Sequence, residues 1–163
     1  MPAAANPIRP TDHEARALGR RLLTDARFGA LGVTLDTGAP MVTRIAVATD
    51  SAGIPLTLIS SLSMHTRALM QAPTCSLLVG EPGAKGDPLN HPRLTLQCVA
   101  NFVDRTRADH TDLRARYLDQ QPKAKLYIDF GDFSLVRLKI SRAYLNGGFG
   151  QAYHLTAADL MDM

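Results

Sequence analysis

One stretch decides the fold: Leu56-Thr-Leu-Ile-Ser-Ser-Leu-Ser-Met-His-Thr-Arg-Ala-Leu-Met70. It begins as an apolar strand, crosses three serines and becomes a helix whose first turn holds His65, Thr66 and Arg67. Ser63 suits the N-cap, because a Ser hydroxyl accepts a hydrogen bond from an amide two or three residues on. Helical spacing predicts Leu62, Leu69 and Met70 facing inward, with Thr66 and Arg67 near the helix start. A helix N-terminus offers unpaired N–H groups and a partial positive charge. With serine hydroxyls and a guanidinium added, the stretch suits a phosphate dianion. The same residues also describe an ordinary strand-to-helix turn carrying a surface arginine.

Upstream, a Pro-rich arm at residues 1–10 reads as loose, and Thr11-Asp-His-Glu14 reads as a capping box opening a helix that ends near Asp25. Phe28 to Leu35 alternates as a strand, Asp36-Thr-Gly38 is a hairpin turn, and Pro40 to Thr49 is the returning strand. Val42, Arg44, Ala46 and Ala48 share one face of it, opposite Met41, Thr43, Ile45 and Val47. A charge among small apolar groups requires solvent or an anionic partner, which makes Arg44 a candidate ligand contact. Asp50-Ser-Ala-Gly53 turns the chain into the Leu56 strand, so short turns predict an antiparallel meander.

Downstream, Pro73 stops the helix and Cys75 to Val79 forms a short strand. Residues 80–92 form a Gly/Pro-rich loop that lacks the Gly-Lys-Ser/Thr of a phosphate loop. Arg93 to Val103 shows the cleanest alternation: Leu94, Leu96, Cys98, Ala100 and Phe102 against Arg93, Thr95, Gln97, Val99 and Asn101. A helix is expected to start at Thr106-Arg-Ala-Asp109 and end before Pro122, then a last strand from Phe133 to Leu145, the Gly-rich break Asn146-Gly-Gly-Phe-Gly150, and a tail from residue 151 to 163. The sum is one domain over residues 1–163, mainly β (α+β), a six-stranded antiparallel barrel with peripheral helices.

Composition narrows the function. The chain has 163 residues, is 45% hydrophobic and carries a formal charge of +3, with no run of basic residues. No nucleic-acid partner is therefore expected, and no apolar segment is long enough to span a bilayer. Cys75 and Cys98 lack metal spacing and sit in apolar runs, which reads as buried reduced thiols in a cytoplasmic protein. There is no Gly-x-Ser-x-Gly elbow, the 5 His residues share no close spacing, and carboxylates such as Asp129 and Asp132 sit in loop sequence. No protein metal site and no catalytic side chain emerge, so a cofactor is expected to supply any reactive atom.

Arg44 in the second strand, Leu-Ile-Ser-Ser-Leu-Ser-Met-His-Thr-Arg after the third, and Pro-Arg-Leu-Thr-Leu at the fifth together resemble the FMN-binding split barrels of the pyridoxamine 5′-phosphate oxidase superfamily. The haem-utilisation branch is the nearest resemblance, through His65-Thr-Arg-Ala-Leu69, Gly86-Asp-Pro88 before Pro92-Arg-Leu-Thr-Leu96, and Gly148-Phe-Gly150. The likeness runs from about residue 13 to 154.

The resemblance implies a split β-barrel homodimer with FMN at the subunit interface. Thr43 and Arg44, with Val42 through its backbone, fall where the family touches the isoalloxazine edge. Ser60, Ser61, His65, Thr66 and Arg67 match its phosphate site, Arg93 its fifth-strand polar position with Gln97 on the same face, and Phe149 the segment against the flavin or the dimer. The implied function is flavin-mediated electron or hydride transfer with a small-molecule substrate. Alternatives are a haem-binding or haem-degrading protein and a non-catalytic flavin-binding module. The acidic, Met-containing tail differs from the basic, aromatic segment of pyridoxamine phosphate oxidases, so vitamin B6 oxidation is not expected. The resemblance implies a further C-terminal domain in haem-degrading relatives, for which 163 residues are expected to leave no room.

Overall fold

The computed structural model describes residues 6–161. Its elements are β1 (Ile8–Arg9), α1 (His13–Asp25), β2 (Phe28–Thr34), β3 (Pro40–Ala46), β4 (Ala48–Thr49), β5 (Pro55–Ser60) and α2 (Met64–Gln71). After these come β6 (Thr74–Val79), β7 (Arg93–Phe102), α3 (His110–Gln120), β8 (Phe133–Asn146), β9 (Ala152–Leu155) and α4 (Ala157–Leu160), with short 3-10 turns at Pro88–Asn90 and Pro122–Leu126.

β8 is the strand on which the sheet converges. Along one edge it pairs antiparallel with β7 from Val136 to Asn146. Its other edge is divided: Phe133–Arg137 bonds β5, and Ala143–Asn146 bonds β9. From β7 the sheet continues through β6 and β2 to β3. β4 pairs with β5, so the barrel wall would be continuous were β3 and β4 one strand. Val47 interrupts them. Its N–H donates to the Arg27 carbonyl at 2.9 Å and its carbonyl accepts from Gln121 Nε2 at 2.9 Å, which removes both groups from any ladder. The barrel is therefore split.

The sheet contains nine strands instead of the expected six. One addition comes from the Val47 interruption. The others come from the ends of the chain, which were expected to be a loose arm and a tail. Residues 1–5 lie outside the described residues, but Ile8–Arg9 pairs in parallel with Ala152–Tyr153. Leu155 and Leu160 bury at 1% and 3% exposure beneath α1, where Gly19 leaves room for them: a Cβ there would stand 2.8 Å from Leu160. Asp159 accepts from Arg16 Nε at 2.7 Å. The capping box belongs to this segment too, between Thr156 and Asp159. At α1 the cap is Asp12, whose carboxylate accepts the Ala15 N–H at 2.7 Å, and Thr11 instead donates its hydroxyl to the His154 carbonyl at 2.7 Å. The expected Thr11/Glu14 box gives way to an aspartate one residue nearer the helix. At Asp104–Asp109 the chain first makes a turn, with Asp104 accepting the Thr106 N–H, so α3 starts at His110 and not at Thr106.

The main core lies inside the barrel and includes Leu31, Ile59, Leu77, Leu96, Leu138 and Leu145. A second cluster, including Leu56, Leu113, Tyr117, Ile128 and Leu135, packs α3 and the Pro122–Leu126 turn onto β5 and β8. Cys75 and Cys98 are buried free thiols facing one another across β6 and β7, and burial pushes the Cys75 thiol up to about 11. A truncation in the tail tests its place in the core. Leu155→Ala is expected to cost about 2–5 kcal/mol in denaturant unfolding; a loss below about 0.5 kcal/mol, the range of surface substitutions, would mark β9 as peripheral.

Candidate functional site

The serine-rich stretch places its side chains differently from its helical spacing. Leu69 is buried as expected, but Leu62 and Met70 are exposed, at 79% and 58%, and α2 buries Thr66 and Ala68 in their place. The reason lies at the turn. Ser60 Oγ donates to Asp132 Oδ2 at 2.5 Å and accepts the Leu62 N–H at 3.1 Å. The Ser61 N–H donates to the Asp132 carbonyl at 2.8 Å. Clamped to the loop before β8, the turn rotates α2 so that Thr66 points into the protein.

Two consequences concern anion binding. Ser60 spends its only proton on a carboxylate, and that carboxylate stands at the mouth of the turn. Ser63 occupies the N-cap position of α2, but its side chain makes no capping bond. Thr66 is 1% exposed, and its hydroxyl is a buried polar atom without a hydrogen-bond partner among the described residues. An unpaired buried hydroxyl costs about 1–3 kcal/mol, which makes a polar ligand at this helix start energetically useful.

A cleft of about 320 Å³ opens beside the turn, bounded by Arg44, Ile45, Leu58, Ile59, Ser60, Ser63, His65, Tyr127 and Phe133. The Tyr127 and Phe133 rings stand 4.9 Å apart. His65 is half-buried, its Nδ1 lies 3.1 Å from Thr43 Oγ1, and burial holds its imidazole below the ordinary value. Arg44 is exposed, with no carboxylate partner among the described residues, and lies 5.4 Å from the Phe28 ring centroid. The cleft thus combines a cation, an oriented imidazole and apolar to aromatic walls.

Thr43, Arg44, Ser60 and His65 are therefore brought together. Arg67 lines another cleft with Asp36, Met64 and Gln71, and Ser61 is exposed at the start of the turn before α2. Val42 and Gln97 lie on the outer sheet face, around a hollow of about 480 Å³ with Gly32, Ser76 and Val99. Arg93 donates to the Leu89 carbonyl at 2.9 Å, and Phe149 is 95% exposed on its Gly-rich turn. Within one chain, these last four do not join the cleft. Tyr127 and Phe133 are the aromatic cleft residues that sequence reading missed, and Asp132, which holds Ser60, was read there only as a loop carboxylate. Phe133 and Asp132 meet the serines where β8 begins to pair with β5, and Tyr127 joins them by stacking near Phe133; no local spacing signals either contact.

Comparison with known proteins places the chain. Residues 10–161 match the CREG β-barrel family. The chain belongs to that family. It is 34% identical over 102 residues to a chloroplastic haem oxygenase, HOZ, of Arabidopsis thaliana, a match covering 63% of this chain and 30% of that protein. A haem-binding protein from Mycobacterium smegmatis is 29% identical with a TM-score of 0.82, over 94% of this chain and 61% of that one. The chain thus spans less than two thirds of the length of these two relatives. A pyridoxinephosphate oxidase-family protein from Clostridium acetobutylicum is 10% identical with a TM-score of 0.69, over 92% of this chain and 99% of that one, and shares the fold. The expected split-barrel fold and superfamily hold. A FAD-binding protein from Mesorhizobium loti, 14% identical with a TM-score of 0.60 over 76% of this chain and 85% of that one, also shares the fold.

Two measurements probe the site without ligand. Thr66→Val removes the unpaired hydroxyl while keeping its shape, and is expected to raise unfolding stability by about 1 kcal/mol; a loss of that size would reveal a partner for the hydroxyl. For His65 the folded state binds a proton less readily than the unfolded chain. Its contribution is therefore intact above the ordinary imidazole value of 6.5 and declines as pH falls below it. His65→Gln is expected to narrow the Tm difference between about pH 7.5 and about pH 5.5, and an unchanged difference would contradict the assignment.

Proposed function

We propose that this chain binds haem in the cleft between β3, β5 and α2 and serves haem utilisation as a homodimer. The observation that carries this reading is the composition of the cleft. Leu58, Ile59, Tyr127 and Phe133 offer the apolar walls a porphyrin ring requires, and Arg44 at the rim offers a cation to a propionate. The names of the Arabidopsis and mycobacterial relatives support the same ligand. When bound, haem iron supplies the oxygen and electron chemistry. The chain's part is to bind the macrocycle, orient it and exclude water. Two free buried thiols fit a reducing compartment such as the cytoplasm. No helix among the described residues is long and apolar enough to cross a membrane.

The dimer is argued from the outer sheet face. Val42, Leu78 and Val99 are exposed there at 69%, 41% and 36%, next to Gly32 and Ser76 across β2, β3, β6 and β7. A second copy seated on that face would bury them and bring its own Arg93 and Phe149 toward the cofactor. Val42→Glu is expected to convert the dimer to a monomer in sedimentation. A monomeric parent protein would remove this part of the proposal.

FMN is the second reading, favoured by one observation: the uncapped start of α2 with the buried, unpaired Thr66 hydroxyl. A phosphomonoester there would have the exposed Ser61 and Arg67 available, while Ser60 is held by Asp132 and the Thr66 hydroxyl lies buried behind the helix start. The two readings separate by titration. Ferric haem is expected to give a Soret band with one site per chain, weakened about tenfold (about 1.4 kcal/mol) by Arg44→Ala. Loss of that band under reductant and air would mark haem breakdown, and its persistence a binding role only. Retention of FMN, lost in Arg67→Ala, together with refusal of haem would put flavin chemistry in place of the haem reading.

A further inference from the structure

Haem iron needs only one ligand from the protein, because the porphyrin supplies four. That matters here, since no cluster of three His, Cys, Asp or Glu among the described residues could hold a bare metal ion. Resting on the haem reading above, we propose that His65 is the protein ligand to haem iron, with Thr43 as the residue that orients its ring.

Geometry distinguishes His65 from the other imidazoles. His91 has both nitrogens engaged: Nδ1 accepts the Gly83 N–H at 3.0 Å, and Nε2 donates to the Lys85 carbonyl at 2.8 Å. It has no free lone pair. His110 opens α3 and faces the carboxylates of Asp104 and Asp129. His13 lies at the start of α1 beside Glu14 and Arg21, in a hollow without aromatic walls other than Tyr153. His154 is exposed on β9, edge-on to Tyr144 at 5.0 Å between ring centroids.

His65 alone lines a cleft with paired aromatic walls and a cation at the rim. Its Nδ1 meets the Thr43 hydroxyl at 3.1 Å, and Nε2 has no protein partner among the described residues. A ligating histidine characteristically donates one ring N–H to a fixed acceptor, which selects the tautomer and aims the other nitrogen at the metal. Thr43 can serve as that acceptor when Nδ1 carries the proton. The ring is also anchored at its base, because His65 sits in the first turn of α2, whose Leu69 is 1% exposed in the core.

The test is a titration of full-length protein with ferric haem, followed by absorption and electron paramagnetic resonance. His65→Ala is expected to move the Soret band toward that of free haem and weaken binding at least tenfold, and added imidazole is expected to restore the parent spectrum. His65→Gln serves if the alanine variant does not fold, and circular dichroism reports folding for both. Thr43→Val is expected to retain the histidine-ligated spectrum with several-fold weaker binding, and Thr43→Ser to recover the affinity. A parent-like spectrum and affinity in His65→Ala would overturn the ligand assignment while leaving the haem reading in place. The same change appearing in His154→Ala instead would move the ligand to β9. A parent protein that gives no Soret band would overturn both proposals.

Discussion

The structure depends on β8 having one edge for β7 and another divided between two partners. Its 14 residues exceed what either β5 or β9 can cover, so the strand serves as a shared spine. The half facing β5 completes the barrel wall and holds the cleft, because the Ser134–Ile59 and Phe133–Ser60 pairs bring the loop before β8 against the serine turn. The half facing β9 carries the chain's end. Slipping β8 by one residue would turn Val136, Leu138 and Ile140 out of the core and release Asp132 from Ser60 at once. Core and site therefore share one register.

What was legible in the sequence follows the range of the physics. Period-two alternation is a local signal, and β7 shows it cleanly: Leu94, Leu96, Cys98 and Ala100 are all buried, despite a register shift against β8 at Gln97 and Cys98. The cleft residues in the serine-rich stretch and in β3 were also legible, because residue type and position on a strand or helix sufficed. The break at Val47 was not. It arises from Arg27 and Gln121, which lie in the connections after α1 and after α3 and take its backbone groups. Nor was the burial of Thr66, since the turn's rotation is set by Asp132, 72 residues from Ser60. The tail was misread for a similar reason: a four-residue strand and a four-residue helix have weak propensity alone and are stabilised by docking on α1.

Ser60 and Thr66 illustrate how a pattern match and a geometry can diverge. Both belong to the stretch that resembles a phosphate site. One hydroxyl is held by a neighbouring carboxylate, while the other is buried and unpaired. The adjoining cleft holds an imidazole bonded to a threonine.

The contact between the two ends of the chain has a consequence for how folding is completed. Ile8–Arg9 pairs in parallel with β9, and Thr11 reaches the His154 carbonyl across 143 residues of sequence. Contacts of such separation pay the full loop-closure entropy and form only after the intervening strands have drawn the ends together. They also hold few residues each. The latch is thus expected to be the last part to close and the first to open, and its opening would leave the barrel wall intact. Protection of the Thr11 and Ala152–Leu155 region against amide exchange becomes a gauge of whether a molecule has finished folding, distinct from the slower exchange of β7 and β8.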